Sequence, residues 1–305
     1  MNKEIPLIIN LRTGRRSRLA VALDNILLNS SNSIKASYAP AKKITKLITD
    51  ALAHEGLNIH VYVTNSAGDA TKIARDLAGR NEPLILVAGG DGTVNEVING
   101  MVGSDTHLGI IPLGSTNVLA LELGIPFSTQ AAARVIREGH TRQIDLGKAG
   151  NRFFAMAAGI SFDAQAIKLL SLAPGLKPLL GGLSFVLSGM LVSLAYSFPP
   201  LEIESEDFPG RHSGYIVVVS NARFYGGSFV MAPSASIDDG LLDVVIMKRR
   251  KLWNLMTYMS LAKKGDLFRL PDVEHFQTRR LKVSSNLPVF IHTDAELAGE
   301  NAMRI

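Results

Sequence analysis

The segment Ala88-Gly89-Gly90-Asp91-Gly92-Thr93-Val94-Asn95-Glu96 combines residue types that suit a phosphate. Glycine lets the backbone come close to a phosphoryl oxygen. A helix opening at such a turn presents free N–H groups and the positive end of its dipole. Thr93 adds a hydroxyl. Asp91 carries the wrong charge for direct phosphate contact. It makes sense if a divalent cation lies between, or if it hydrogen-bonds a ribose or a protein group. A second turn, Pro112-Leu113-Gly114-Ser115-Thr116-Asn117, also follows an apolar run and opens a helical pattern. No GxxxxGK[ST] is present, so neither turn is a P-loop. Asn10-Leu11-Arg12-Thr13-Gly14 and Thr64 each follow a strand and would add contacts to the same crevice.

Two acidic clusters lie further along. Ser236-Ile237-Asp238-Asp239-Gly240-Leu241 could hold a hard cation through carboxylate and backbone oxygens, or simply form a hairpin turn. Thr293-Asp294-Ala295-Glu296 follows the strand Val289–Ile291. Its two carboxylates could include a general base, or belong to an ordinary turn.

The elements that must position these residues change character near Thr141. Before it, short apolar strands (Ile5–Asn10, Leu57–Val63, Leu84–Ala88, Leu108–Ile111) alternate with helical patterns at Ala41–His54, Asp69–Leu77, Val94–Met101 and Asn117–Leu123. Repeated strand–helix units predict a parallel sheet flanked by helices, with ligands at the C-terminal strand ends. After it, strands are expected at Gln143–Leu146, Phe153–Ala157, Leu201–Glu206, Tyr215–Ser220, Leu241–Met247, Leu281–Ser284 and Val289–Ile291, with helices near 163–170, 179–197 and 252–263. That pattern predicts a mainly β domain.

Composition narrows the function classes. The chain has 305 residues, 47% of them hydrophobic and 19% charged, so it is neither disordered nor fibrous. It has no cysteine, which excludes a disulfide scaffold, a thiolate metal site and a thiol nucleophile. The seven histidines show no metal-ligand spacing. The N-terminal apolar run is too short for a signal-peptide core. The segment Pro178 to Leu201 carries no charge and is long enough to span a bilayer, but its glycines, serines and flanking prolines fit a buried or interface-lying helix better. The net charge is +5 and is concentrated after Leu241. Aromatics make up 6% and no nucleic-acid motif is present, so nucleic acid is not an expected partner.

The four site segments, in this order, resemble the diacylglycerol kinase catalytic family of lipid kinases, which includes sphingosine, ceramide and bacterial lipid kinases. Further matches are Ile144-Asp145-Leu146-Gly147, Asn151-Arg152-Phe153-Phe154, Gly159-Ile160-Ser161-Phe162-Asp163-Ala164, and Asn221 through Gly226-Gly227. The resemblance implies an α/β nucleotide-binding domain (parallel sheet flanked by helices) over 1–141 and a mainly β sandwich domain over 142–296. It also implies a tail, 297–305, that returns to the first domain. By position, Asn10, Leu11, Arg12, Thr13, Gly14, Thr64, Gly90, Asp91, Gly92, Thr93, Val94, Asn95, Glu96 and Thr116 would bind ATP. Asp239, with Ser236 and Leu241, would bind magnesium, and Asp91 and Asp145 would join its acidic network. Glu296 would be the proton acceptor, with Asp294 beside it.

What the resemblance implies is ATP-dependent, Mg2+-assisted phosphorylation of a lipid hydroxyl: diacylglycerol, a sphingosine-type lipid or a phosphatidylglycerol-like one. The protein would be cytoplasmic and peripheral at an anionic inner-membrane surface. The uncharged 178–201 segment and the groups Lys248–Lys251, Lys263-Lys264 and Arg279-Arg280 would dock it there. A homodimer stays open. Two departures stand out. Val118 occupies a place where many bacterial diacylglycerol kinases have Asp, and sphingosine kinases a small apolar residue. Ala295 replaces the usual Gly; if that position needs positive φ, Ala costs about 1 kcal/mol. The alternatives are a soluble-metabolite kinase of the NAD kinase type and a catalytically degenerate nucleotide- or lipid-binding protein. In NAD kinases the Asn-Glu pair lies well downstream of the loop, whereas here Asn95-Glu96 follow Thr93 almost at once.

Overall fold

The computed structural model describes residues 4–11, 41–172, 196–300 and 303–305. They form two compact units that meet in sequence between Arg142 and Gln143. The helix expected at 179–197, and with it most of the 178–201 segment, lies outside the described residues. Among the described residues, no helix is long and apolar enough to cross a membrane.

The first unit is built on a four-stranded parallel sheet. Its strands are β1 (Ile5–Ile9), β2 (Ile59–Val63), β3 (Leu84–Gly89) and β4 (His107–Pro112), in the order β2-β1-β3-β4. β1 and β3 are central and read as unbroken apolar runs because helices cover both faces. The helix α1 (Ala41–His54) has a clear apolar stripe. Ile44, Ile48, Ala51 and Leu52 bury it against Leu7, Ile9, Leu86 and Ile111 of the sheet. The helices α2 (Asp69–Gly79), α3 (Asp91–Met101), α4 (Val118–Glu122) and α5 (Thr129–Glu138) complete the unit. The helix α5 was not anticipated from the sequence; the Ser128 hydroxyl caps it by accepting from Ala131 N–H at 3.5 Å.

The second unit is an antiparallel sandwich. One sheet has six strands: β14 (Val273–Thr278), β13 (Leu242–Met247), β10 (Ile216–Ser220), β7 (Ala157–Ser161), β16 (Phe290–Thr293) and β17 (Glu296–Glu300), in that spatial order. The other has four: β18 (Met303–Arg304), β15 (Leu281–Ser285), β8 (Leu201–Ser205) and β9 (His212–Gly214). Between them Phe154, Ile160, Val217, Val219, Val244 and Ile291 meet Leu201, Ile203, Leu281 and Val283. The opposite face of the six-stranded sheet is covered as well. There Ile216, Val218, Val245 and Met247 pack with Leu255, Tyr258 and Ala262 of the helix α7 (Leu252–Lys264). Two covered faces explain why β10 and β13 lack the usual polar alternation.

Three expectations need correction. The tail does not return to the first unit: β17 closes the six-stranded sheet, β18 pairs with β15, and Ile305 exchanges backbone hydrogen bonds with Leu281. Burial of Ile305 in the sandwich core fixes it there. Gln143–Leu146 is not a strand; short strands form instead at β5 (Gly147–Ala149) and β6 (Arg152–Phe154), which pair with each other. Finally, β14 and β9 were not anticipated. Their outward residues, such as His275, Gln277 and Ser213, leave too few apolar positions to signal a strand.

Candidate functional site

In the first unit the parallel register brings the C-terminal ends of four strands to one edge. Asn10 N–H bonds Ala88 O at 3.0 Å, Thr64 N–H bonds Ile9 O at 3.0 Å, and Leu113 N–H bonds Gly89 O at 2.8 Å. Asn10, Thr64, the Gly89–Thr93 turn and the Gly114–Asn117 turn therefore share that edge. Leu11 follows directly, while Arg12, Thr13 and Gly14 lie outside the described residues. Asn10 Nδ2 donates to Thr93 Oγ1 at 3.0 Å, which joins the first strand to the start of α3. Gly90 precedes α3 and no side chain caps that helix start. Its first-turn N–H groups thus keep their donor capacity at the strand edge.

The two turns touch through their backbones. A Cβ on Gly114 would stand 2.6 Å from Gly90 Cα and 2.7 Å from Asn117 Oδ1, so only glycine fits. Asn117 adopts φ 45° and closes its own turn, accepting from Gly114 N–H and donating to Gly114 O. Asp91 bonds protein groups. Its carboxylate accepts from the Thr116 hydroxyl and Val118 N–H, both at 2.6 Å, and so caps α4 from the neighbouring turn. Burial pushes the Asp91 carboxyl above its ordinary value, against the lowering by Thr116 and by the amides of Val118, Leu119 and Asn117.

Not every residue of the 88–96 segment faces this edge. Glu96 turns to α2, where its carboxylate accepts from Gly68 and Ala70 N–H at 3.0 and 3.2 Å. Asn95 is buried and accepts from Asn99. Val94 is buried in the helix. The Glu96 contacts hold α3 in place against α2.

In the second unit Asp145 and the 236–241 turn form one piece. Asp145 N–H bonds Ile237 O at 2.7 Å, and Asp145 Oδ2 accepts from Gly240 N–H at 2.7 Å. Asp239 Oδ1 accepts from Leu241 N–H at 3.0 Å, and the Ser236 hydroxyl bonds Asp238 at 2.8 Å. Asn221 clamps the piece from behind by donating to Asp145 O and Ala155 O. Asp145 and Asp239 each commit one oxygen to an amide, and two adjacent carboxylates are the donor type that suits a hard cation. Among the described residues, no three His, Cys, Asp or Glu side chains converge as a metal centre.

The third constellation is the hairpin between β16 and β17. Its two-residue turn is Asp294-Ala295, with φ 47° and 65°, the left-handed pair of a type I′ turn. Ala295 is therefore in the strained region that its sequence position raised. Asp294 is buried, and its carboxylate accepts from Ala155, Met156 and Ala157 N–H at 2.9, 3.1 and 3.0 Å. These bonds fasten the turn to the first residue of β7 and to the two residues before it. Glu296 stands at the head of β17, about one-third exposed at 34%, and is hydrogen-bonded to Arg152 of β6.

Sequence reasoning missed a buried network under this hairpin. Tyr225 donates to Asp163 Oδ2 at 2.5 Å, and His292 Nε2 lies 2.8 Å from the Tyr225 hydroxyl and 3.2 Å from Asp163. The other ring nitrogen of His292, Nδ1, accepts from Ala295 N–H at 3.3 Å. That contact assigns the proton to Nε2, where it points at Asp163. Burial would raise the Asp163 carboxyl, but His292, Tyr225 and the Ala164 amide together hold it below its ordinary value. A Cβ on Gly159 would overlap both Asp163 and His292, so the network needs glycine there. Asp163, Arg152 and Tyr225 did sit inside matched segments; His292 gave no local signal.

An α/β unit with paired glycine turns at its strand ends, followed by a sandwich carrying an accessible carboxylate on a hairpin, has the organisation of a phosphotransferase. Comparison with known proteins names the family. The Diacylglycerol kinase catalytic domain family matches residues 32–149, and the YegS C-terminal NAD kinase beta sandwich-like domain family matches residues 160–305. The chain is 32% identical to a diacylglycerol kinase of Bacillus subtilis (strain 168) over 264 residues, covering 85% of this chain and 86% of that one. It is 31% identical to a diacylglycerol kinase of Staphylococcus saprophyticus, covering 82% of each. A crystal structure of a diacylglycerol kinase from Bacillus anthracis str. Sterne shares the fold at TM-score 0.66 and 22% identity, covering 100% of this chain and 94% of that one. A further solved chain from the same strain reaches TM-score 0.73 at 22% identity, covering 99% and 92%. The chain belongs to the diacylglycerol kinase family and is a kinase with a hydroxyl group as acceptor.

Proposed function

We propose that this kinase transfers the γ-phosphoryl group of Mg-ATP to the hydroxyl of a membrane lipid of the diacylglycerol, sphingosine or phosphatidylglycerol type. The observation that carries the reading is the junction of two glycine turns, held together by Asp91, at the C-terminal edge of the parallel sheet. Backbone N–H groups at the start of α3, with the hydroxyls of Thr93 and Thr116, suit the phosphates, and Asn10 and Thr64 flank them. Asp145 and Asp239, with Ser236 and Leu241, would hold a magnesium ion, which when bound neutralises charge on the phosphates.

In the reaction the lipid oxygen forms a bond to the γ-phosphorus as the bond to the β,γ-bridging oxygen breaks. ADP departs, and the hydroxyl proton passes to Glu296. Little covalent work is asked of the protein, because positioning and charge neutralisation dominate phosphoryl transfer. Arg152 aims the Glu296 carboxylate, and the Asp294 turn fixes where its backbone starts. The acceptor is presented at an anionic membrane surface, to which the protein binds peripherally.

The test is transfer of labelled γ-phosphate from Mg-ATP to diacylglycerol, phosphatidylglycerol, sphingosine, ceramide and NAD, each offered with anionic liposomes. Label is expected in one lipid, and label confined to NAD overturns the reading. Glu296→Ala is expected to lower turnover by about 10²- to 10⁴-fold while ATP still binds. Activity of that variant within about tenfold of the parent rejects the proton-acceptor role.

A further inference from the structure

The helix α7 buries one face and leaves the other bare. Leu255, Tyr258 and Ala262 enter the core at the spacing of one helical stripe. On the outer side Trp253 is 76% exposed, Met256 54% and Met259 43%. Trp253 and Met256 are one turn apart, and Met259 lies one turn further on the flank. Soluble surfaces rarely cluster residues of this kind, and an apolar patch rimmed by polar groups marks a contact surface.

The helix and the residues that lead into it carry charge of a single sign. Residues 248–265 contain six basic side chains (Lys248, Arg249, Arg250, Lys251, Lys263 and Lys264) and no acidic one. The segment alone carries +6 against +5 for the whole chain, so the remainder nets −1. Lys248 and Arg249 are partly answered by Glu274 and Asp272 from β14 and its approach, and Arg250 stacks on Tyr215. Lys251 and Lys264, at the two ends of the helix, make no ion pair among the described residues. An indole and two flexible thioethers between cationic ends match the boundary of an anionic bilayer: the ring and sulfurs sink among the upper acyl segments and the ammonium groups meet the headgroup charge.

We infer that the outer face of α7, with Trp253 at its centre, is the surface by which this protein lies on an anionic membrane. The inference rests on the lipid-kinase reading for its purpose, though its evidence is the helix itself. It replaces a general basic attraction with a named apolar anchor. Hydrophobic contact supplies residence on the membrane, and the lysines supply selectivity for anionic lipid.

Trp253 is the sole tryptophan of the chain, so its emission reports on this helix alone. The full-length protein is titrated, without ATP, with vesicles of phosphatidylcholine and with vesicles that also contain phosphatidylserine. Expected are a blue shift and quenching by brominated acyl chains with the anionic vesicles only, both reduced at high salt. Met256→Glu, which keeps the fluorophore, should weaken vesicle binding by about tenfold or more. Lys251→Glu with Lys264→Glu should abolish the preference for anionic lipid. Trp253→Ala, followed by flotation, should lose vesicle binding yet phosphorylate a detergent-dispersed acceptor at the parent rate. No shift with either vesicle overturns the inference. So does an equal shift with neutral vesicles, or a shift that tracks protein concentration without vesicles, which would mark a contact between two copies. Because no phosphate is transferred in the titration, failure there leaves the kinase reading untouched, and failure of the kinase assay leaves the titration intact.

Discussion

The strand-end edge of the first unit and the Asp294 hairpin of the second use the same device in different settings. In each, a carboxylate with little water around it gathers backbone N–H groups from a neighbouring segment: Asp91 those of the second turn, Asp294 those of Ala155, Met156 and Ala157. The backbones they secure are built differently. The first edge relies on glycines because two turns lie in direct backbone contact. The hairpin places ordinary side chains, Asp294 and Ala295, in left-handed conformations that glycine or asparagine more often fills. The first solution leaves backbone donors open to an anion. The second fixes the direction of one side chain, Glu296. A phosphate needs many weak donors, whereas a proton acceptor needs one carboxylate held in place.

The sharpest way to break the comparison is to remove a carboxylate. Asp294→Ala leaves three buried amides without an acceptor. At roughly 1–3 kcal/mol for each buried group left unsatisfied, a loss of about 3 kcal/mol or more is expected. Denaturant midpoints of the second unit's transition would measure it. A loss under about 1 kcal/mol would mean that water replaces the carboxylate and that the turn is not held as described.

A smaller effect is expected from crowding the first edge. Gly114→Ala would put a methyl group 2.6 Å from Gly90 Cα, so one turn must shift. Overpacking of this kind costs about 1–3 kcal/mol. Since the displaced atoms are those proposed to face the phosphates, the KM for ATP should rise more than kcat falls. An unchanged KM would place the nucleotide elsewhere.

The contrast between the two regions also explains how much was legible in the sequence. The first edge announced itself because its chemistry is local. Glycine, a hydroxyl and a helix start follow one another within Gly89–Thr93 and again within Gly114–Asn117, and the strands ahead of them are plain apolar runs. What the residues alone left open was the direction of each side chain. Glu96 bonds the amides at the start of α2, and Asp91 bonds the second turn, contacts that no local spacing announces. In the second unit the pairings are long-range. Asp163, Tyr225 and His292 are separated by 62 and 67 residues, and only the sheet order β10-β7-β16 and the loop that follows β10 bring them together. No spacing rule reaches that far. Likewise, β14 hides among polar residues because one of its faces meets solvent, and the exposed stripe of α7 has the same sequence pattern as a buried one.

The smallest expected effect bears on the hairpin alone. Ala295 at φ 65° sits where an L side chain costs about 1–2 kcal/mol. Ala295→Gly removes that cost, but glycine also loses about 0.4–1 kcal/mol more conformational entropy on folding. The difference leaves a net gain of about 0.5 kcal/mol, equivalent to a rise of about 1–2 °C in Tm for a chain of this size. Scanning calorimetry of the parent and variant would resolve it, read on the second unit's transition because a two-unit protein need not unfold in one step. The same substitution should keep the contact from the residue-295 N–H to His292 Nδ1, since residue 295 contributes only its backbone to that bond. Turnover should therefore hold or rise slightly. A fall in Tm would mean that the methyl group of Ala295 makes a contact worth more than its strain. A fall in turnover without a fall in Tm would mean that the stiffness of the alanine turn, rather than the Asp294 and His292 bonds, keeps Glu296 aimed.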